Sequence, residues 1–377
     1  MDGVLAFGVK RGRNGVALVS GEGRAAAVFT SNRLQAAHIQ VTRAHIAAGP
    51  VAGVVVTSGN ANCATGEPGL RDARMLCDLA GTQLRVPGER LVVASTGVIG
   101  VPMDLTALEP LTREAAPGLR GDEDGALAAA RSIMTTDTRP KLAAARCGRV
   151  TAGGICKGAG MIAPNMGTMI AVLYTDAALT QARLQAELQA AVDETFNMVA
   201  VDGDTSPNDT AILIATGTKR APTEEARWAL RAVCRELAIA IASDGEGAGK
   251  LLVVQVTGAP SAEEARRCAR AIATSPLVKS AVHGADPNLG RVLSAAGNSL
   301  RKLPLGKVRL GVGDGKRGVV FFEHGTPVPG AAPRAAELMR GGRVEIMLDL
   351  GSGRGEAAAW GCDLTAEYVR INAEYTT

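Results

Sequence analysis

Residues 153–174 read Gly153-Gly-Ile-Cys-Lys157-Gly-Ala-Gly-Met-Ile-Ala-Pro164-Asn-Met-Gly167-Thr168-Met-Ile-Ala-Val-Leu-Tyr174. A glycine-rich run passes through a Pro-Asn turn into an apolar run that reads as a strand beginning at Met169. Gly158-Ala-Gly-Met-Ile-Ala163 imitates a dinucleotide fingerprint, but Pro164 follows where that fingerprint needs a helix start to receive pyrophosphate. A dinucleotide site is therefore disfavoured. Thr168 stands at the head of the strand, and Gly167 before it has no Cβ to obstruct attack on its carbonyl. A Thr in that place becomes a nucleophile if the chain is cut ahead of it, because the new α-amine can take the proton of the hydroxyl. The alternative is a structural Thr, which strands commonly contain.

Outward from this stretch, strands are expected at Val16–Val19, Ala25–Phe29, Gly53–Thr57, Leu91–Ala94, Leu251–Val256, Val308–Gly311, Gly318–Phe322 and Val344–Leu348. Helical periodicity covers Arg71–Leu84, 125–134, Gln181–Phe196, Thr223–Ala242 and Ser261–Ala273, the last opening on a Ser-x-x-Glu capping pattern. Helices and strands alternate, with some hairpin-like pairs, so the fold class is mixed α/β.

Composition narrows the function. The 377 residues are 46% apolar and 21% charged, enough for a sizeable core, and no apolar run is long enough to span a bilayer. The start of the chain lacks a basic, then apolar, secretory pattern. Net charge is +4 with 3% aromatic residues, which leaves neither the basic stripe nor the stacking rings of a nucleic-acid binder. Seven widely spaced cysteines, with no Cys-x-x-Cys, suit free thiols in a reducing cytoplasm. His38, His45, His283 and His324 show no metal-ligand spacing and no hydrolase triad, so no metal is expected. Gly313-Asp-Gly-Lys-Arg lacks the Ser or Thr of a phosphate-binding loop.

Lys157-Gly-Ala-Gly-Met-Ile-Ala-Pro-Asn-Met-Gly-Thr-Met169 closely resembles the self-cleavage motif of the ornithine acetyltransferase family, the glutamate N-acetyltransferases of arginine biosynthesis. Seven further segments match that family in order: Thr57–Gly66, Ala94–Gly100, Met134–Lys141, Ala242–Ala248, Ser275–Lys279, His283–Asn288 and Asn372–Thr377. The resemblance covers nearly the whole chain. It departs at Gly167, where the family more often has Ala, at Leu289, where an aromatic is common, at Cys156, where Ala is common, and in a somewhat short N-terminal region. These departures bear on local packing.

The resemblance implies an α/β sandwich with a mixed-sheet core, not a Rossmann fold, built by a precursor that cuts itself between Gly167 and Thr168. Residues 1–167 would form an α chain and 168–377 a β chain, associated as α2β2. Thr168 would carry the acetyl group, with Thr96 and Gly97 as the oxyanion hole, where a hydroxyl and a backbone N–H suit developing negative charge. Thr135, Lys157, Thr168, Glu246, Asn372 and Thr377 would bind substrate; Thr136 competes with Thr135 for that role. Lys157 suits an α-carboxylate and Glu246 an amine, although both are residue types commonly found as solvated surface charges. The implied reaction passes acetyl from N2-acetylornithine to glutamate in the cytoplasm, without a metal or organic cofactor and with acetyl-CoA as an additional co-substrate still open. Two other readings stand beside it: a self-cleaving aminopeptidase or amidase on a related scaffold, and a non-catalytic amino-acid-binding protein that stays uncut.

Overall fold

Alternation of buried side chains on both faces is what organises the first sheet. On one strand Val16 and Leu18 enter one apolar cluster while Ala17 and Val19 enter another, so this strand must be covered on both sides. The computed structural model describes residues 1–163 and 169–374, and of Leu289 only the backbone. Among the described residues the strands are β1 Leu5–Arg11, β2 Asn14–Phe29, β3 Val51–Asn60, β4 Leu91–Val98, β5 Lys141–Cys147, β6 Val150–Lys157, β7 Ile170–Ala177, β8 Val199–Ala200, β9 Thr210–Lys219, β10 Leu251–Ala259, β11 Arg309–Gly313, β12 Gly318–Glu323, β13 Thr326–Pro327, β14 Arg343–Asp349 and β15 Gly355–Cys362. The helices are α1 Ala37–Ala48, α2 Gly66–Leu84, α3 Leu105–Ala115, α4 Glu123–Ser132, α5 Gln181–Glu194, α6 Thr223–Ala242, α7 Ala262–Thr274, α8 Pro276–His283, α9 Leu289–Ser299, α10 Ala331–Leu338 and α11 Ala366–Glu374.

The strands form two mixed sheets, neither closed. The first runs β4-β3-β2-β9-β7-β6-β5, with β1 also paired to β2; the second runs β13-β12-β11-β14-β10-β15-β8. β3–β4 and β7–β9 are parallel pairs inside a mostly antiparallel first sheet. Helices α1, α2 and α3 cover one face of its β2–β4 part. Helices α5 and α6 fill the space towards the second sheet, and their apolar faces join both sheets in the largest core cluster. The mixed-sheet α/β architecture expected from the sequence is the one observed.

Differences in detail have local causes. Val16–Val19 and Ala25–Phe29 belong to one strand, because β2 carries residues 20–24 through a register shift between Ser20 and Gly23. The glycine-rich run begins inside β6, which contains Gly153 and Gly154; a Cβ on Gly154 would meet Val172 O at 2.6 Å. Helix α6 has the bounds expected, with Glu224 and Glu225 in its first turn, where acidic side chains suit the helix dipole.

Candidate active site

Two parallel strand ends supply the first part of the site. Thr96 and Gly97 of β4 lie opposite Ser58 and Gly59 of β3. Gly97 has φ +134°, and a Cβ there would stand 2.3 Å from the carbonyl carbon of Gly59. Only glycine permits both that backbone conformation and that approach. Thr96 is buried, and its Oγ1 lies 3.5 Å from Nζ of Lys157.

Lys157 is the last residue of β6 and is only 2% exposed. Burial pushes its ammonium below the ordinary lysine range, and the neighbouring Asp137 carboxylate works against that shift. Asp137 is buried too. Desolvation alone would raise its pKa, but the charges of Lys157 and Lys141, with hydrogen bonds from Lys141 and the Gly158 N–H, bring it down to about 2. Its Oδ1 accepts from Lys141 Nζ at 2.6 Å and from Gly158 N–H at 2.7 Å, while Oδ2 accepts from Thr135 N–H at 3.1 Å. Lys141 Nζ also reaches Asp244 Oδ2 at 2.5 Å. This buried Asp–Lys–Asp group joins the 135–141 segment to the loop after α6. Removing Lys141 would leave two carboxylates out of water without the cation they share.

That loop carries Glu246. Its N–H donates to Ala159 O at 2.9 Å, and its Oε2 accepts from Asn372 Nδ2 at 2.8 Å, so α11 is tied to the same place. Gly160 makes room for the carboxylate: a Cβ on it would sit 2.2 Å from the carboxyl carbon of Glu246. Asp202 steadies the glycine-rich run by accepting from Met161 N–H at 2.6 Å and Ile162 N–H at 2.9 Å.

Thr96, Gly97, Thr135, Lys157, Glu246 and Asn372 thus line one cleft, and Thr136 lines it as well. Neither Lys157 nor Glu246 is the surface charge it could have been; both are buried. Gly167, Thr168 and Thr377 lie outside the described residues. The next residue, Met169, is described: its N–H donates to Asp209 Oδ1 at 3.0 Å, and its carbonyl accepts from Thr210 N–H at 3.0 Å.

Sequence reasoning missed Ser206 and Asn208, which also line the cleft, and the buried Asp209. A signal existed in Ser206-Pro-Asn-Asp-Thr210, a polar run directly ahead of an apolar strand. The histidines lie off the described lining. His38 is fully buried with Nε2 3.0 Å from Thr210 Oγ1, and burial pushes its pKa down to about 3. His45 Nδ1 lies 2.6 Å from Leu91 O. Among the described residues no group of three or more His, Cys, Asp or Glu is arranged to hold a metal ion. Chemically, the cleft offers a buried cation and a carboxylate for a zwitterionic ligand, beside a hydroxyl and a backbone N–H suited to an oxyanion.

The family model described as "ArgJ family" matches residues 2–377. The glutamate N-acetyltransferase of Methanothermobacter thermautotrophicus is 43% identical, covering all of this chain and 96% of that protein. The arginine biosynthesis bifunctional protein ArgJ of Thermus thermophilus is 47% identical, covering all of this chain and 97% of that protein. The crystal structure of the ArgJ protein of Bacillus halodurans matches with a TM-score of 0.50 and 39% identity, covering 53% of this chain and 96% of that chain. The chain belongs to the ArgJ family, and with it to the acyltransferases for which these relatives are named.

Proposed function

We propose that this enzyme moves acetyl from N2-acetylornithine to glutamate, giving ornithine and N-acetylglutamate, through acetyl-Thr168. Cleavage comes first. The Thr168 hydroxyl attacks the Gly167 carbonyl, the peptide C–N bond breaks as the amine takes a proton, and water hydrolyses the resulting ester. The freed α-amine of Thr168 then serves as base. It takes the hydroxyl proton as Oγ1 attacks the acetyl carbonyl of acetylornithine, and it returns that proton to the departing amine of ornithine. Glutamate's amine attacks the ester in the second half-reaction and restores the hydroxyl. Thr96 and the Gly97 N–H receive the negative charge of each tetrahedral intermediate. Lys157 holds the α-carboxylate of each amino acid in turn, with Thr135, Asn372 and Thr377 completing the pocket, and Glu246 suits an amine.

The observation that carries this reading is the shared cleft of Thr96, Gly97, Lys157 and Glu246, beside the strand that Thr168 precedes. Two facts support a chain divided before Thr168 whose parts stay together. Strands β6 and β7, one on each side of the cut, pair from Lys157↔Ile170 to Ala152↔Thr175. The Bacillus halodurans chain is 96% covered yet spans only 53% of this one, much the proportion that the 168–377 fragment would have. An α2β2 assembly is the expected form. No bound metal or organic cofactor enters these steps, since the chain supplies nucleophile, base and oxyanion donors; acetyl-CoA would enter as a second donor. The seven free thiols support a reducing cytoplasm, and among the described residues no helix is long and apolar enough to cross a membrane.

The test is isotope exchange. With no glutamate present, labelled ornithine should enter N2-acetylornithine, because the acetyl-enzyme forms and reverses alone. Transfer to glutamate without such exchange would contradict the covalent route. Release of acetate without transfer would favour the hydrolase reading.

A further inference from the structure

The Asn208–Asp209 pair has no part in the chemistry above, yet it touches both halves of the centre. Asn208 is 3% exposed, and its Nδ2 donates to Ser95 O at 2.8 Å and Ala61 O at 2.5 Å. The Ser95 carbonyl belongs to the peptide unit that joins Ser95 to Thr96. Asp209 is 0% exposed, and its Oδ1 accepts the Met169 N–H at 3.0 Å. That N–H belongs to the peptide unit that joins Thr168 to Met169. Two adjacent residues therefore grip the peptide beside the oxyanion donor and the peptide beside the nucleophile. Their Cα atoms are separated by about 3.8 Å across one trans peptide.

The loop that carries them is itself held. Thr30 donates its N–H to Asp209 O at 3.0 Å and its hydroxyl to Ser206 O at 2.6 Å. Ala36 N–H donates to Pro207 O at 3.0 Å, and the Thr210 hydroxyl donates to Asn208 O at 2.9 Å. Asp209 Oδ2 has no hydrogen-bond partner among the described residues. Burying a carboxyl costs desolvation that an apolar side chain would avoid, and what this one provides is the acceptor for the Met169 N–H.

We propose that Asn208 and Asp209 are positioning residues that fix the Ser95–Thr96 peptide, which leads into the Thr96–Gly97 donors, relative to the N–H of Met169, the residue that follows the nucleophile in the chain. The inference rests on Thr168 as the nucleophile. Burial raises the Asp209 pKa well above the carboxylate range, against hydrogen bonding by the Met169 N–H and the charge of Lys157. What the geometry asks of the position is an acceptor oxygen for the Met169 N–H.

The experiment compares Asn208→Ala, Asp209→Ala and Asp209→Asn with wild type. Its readouts are the rate of self-cleavage, and kcat and KM of processed enzyme. Each kcat is divided by the burst of ornithine that counts working sites, so a partly misfolded sample does not mimic an effect. Both alanine variants should cleave more slowly and lose about 10- to 100-fold in kcat, the scale of a misplacement near 1 Å. KM for either amino acid should stay within about 3-fold, since Lys157 is untouched. Asp209→Asn should stay within about 3-fold of wild type throughout, because its amide oxygen accepts the same N–H. Wild-type cleavage and kcat in both alanine variants would overturn the proposal, as would a folded Asp209→Asn that is as impaired as Asp209→Ala. If Asp209→Ala does not fold, Asn208→Ala and Asp209→Asn decide by the same criteria. An uncut but active wild-type enzyme would refute the Thr168 chemistry itself, before any variant is compared.

Discussion

Nζ of Lys157 lies 3.5 Å from Oγ1 of Thr96, with both side chains buried. The cation proposed to receive a substrate carboxylate and the donor proposed to receive an oxyanion thus occupy one corner of the cleft. In an N-acetylated amino acid, carboxylate and amide hang from the same α-carbon, so a neighbouring pair of receptors suits it.

Lys157→Ala should therefore raise KM for both acetylornithine and glutamate. A charge-assisted contact is worth about 1.5–3 kcal/mol, or roughly 10- to 100-fold. Steady-state kinetics with each substrate varied in turn checks this. Unchanged KM for both would remove Lys157 from binding.

Thr96→Ala should act on kcat instead. On the proposed route its hydroxyl meets full negative charge only in the tetrahedral intermediate, and loss of one such donor costs on the order of 10²–10³ in kcat. The Gly97 N–H survives the change, so activity should fall without vanishing. A pure KM effect would make Thr96 a ground-state contact.

Gly160→Ala should raise KM while leaving stability nearly intact. The added Cβ would stand 2.2 Å from the Glu246 carboxyl carbon, and the mobile end of a side chain moves more cheaply than backbone. Relief would come by displacing the Glu246 carboxylate from Asn372. Thermal unfolding and KM measured together test this; a large drop in Tm with unchanged KM would contradict it.

Asp137 predicts an acid dependence. Its carboxyl titrates at about 2 in the fold, against about 3.9 for an unperturbed Asp. A depressed carboxyl contributes its stability in full above the unfolded value and loses it as pH falls towards the folded one. The stability gap between wild type and Asp137→Asn should therefore be widest above about pH 4, of order 2 kcal/mol, and shrink as pH drops to about 2. Denaturant titrations across that range measure it. A gap independent of pH would mean that the Asp137 charge contributes nothing.

Much of the site was legible because its residues sit in motifs that keep their order along the chain. Thr96, Gly97, Thr135, Lys157, Glu246 and Asn372 meet in the cleft although 276 positions separate the first from the last. Strands were legible where apolar residues ran together, as at Leu251–Val256 inside β10. What escaped depended on partners distant in sequence. Nothing in the sequence pairs Lys141 with Asp244, which the fold sets 2.5 Å apart out of water. Asn208 and Asp209 look like turn residues, and their importance lies in which backbone groups they hold. Helix α1 was missed because its apolar residues follow no clean stripe: His38 and Thr42 are buried among them.

The central claim is that the chain cuts itself before Thr168 and uses that residue as the nucleophile. Intact mass spectrometry of purified wild type and Thr168→Ala, with N-terminal sequencing of any fragments, tests it directly. Wild type should give two fragments, the second beginning at Thr168, and Thr168→Ala should remain one inactive chain of 38.6 kDa. Active wild-type enzyme consisting of a single intact chain would contradict the account.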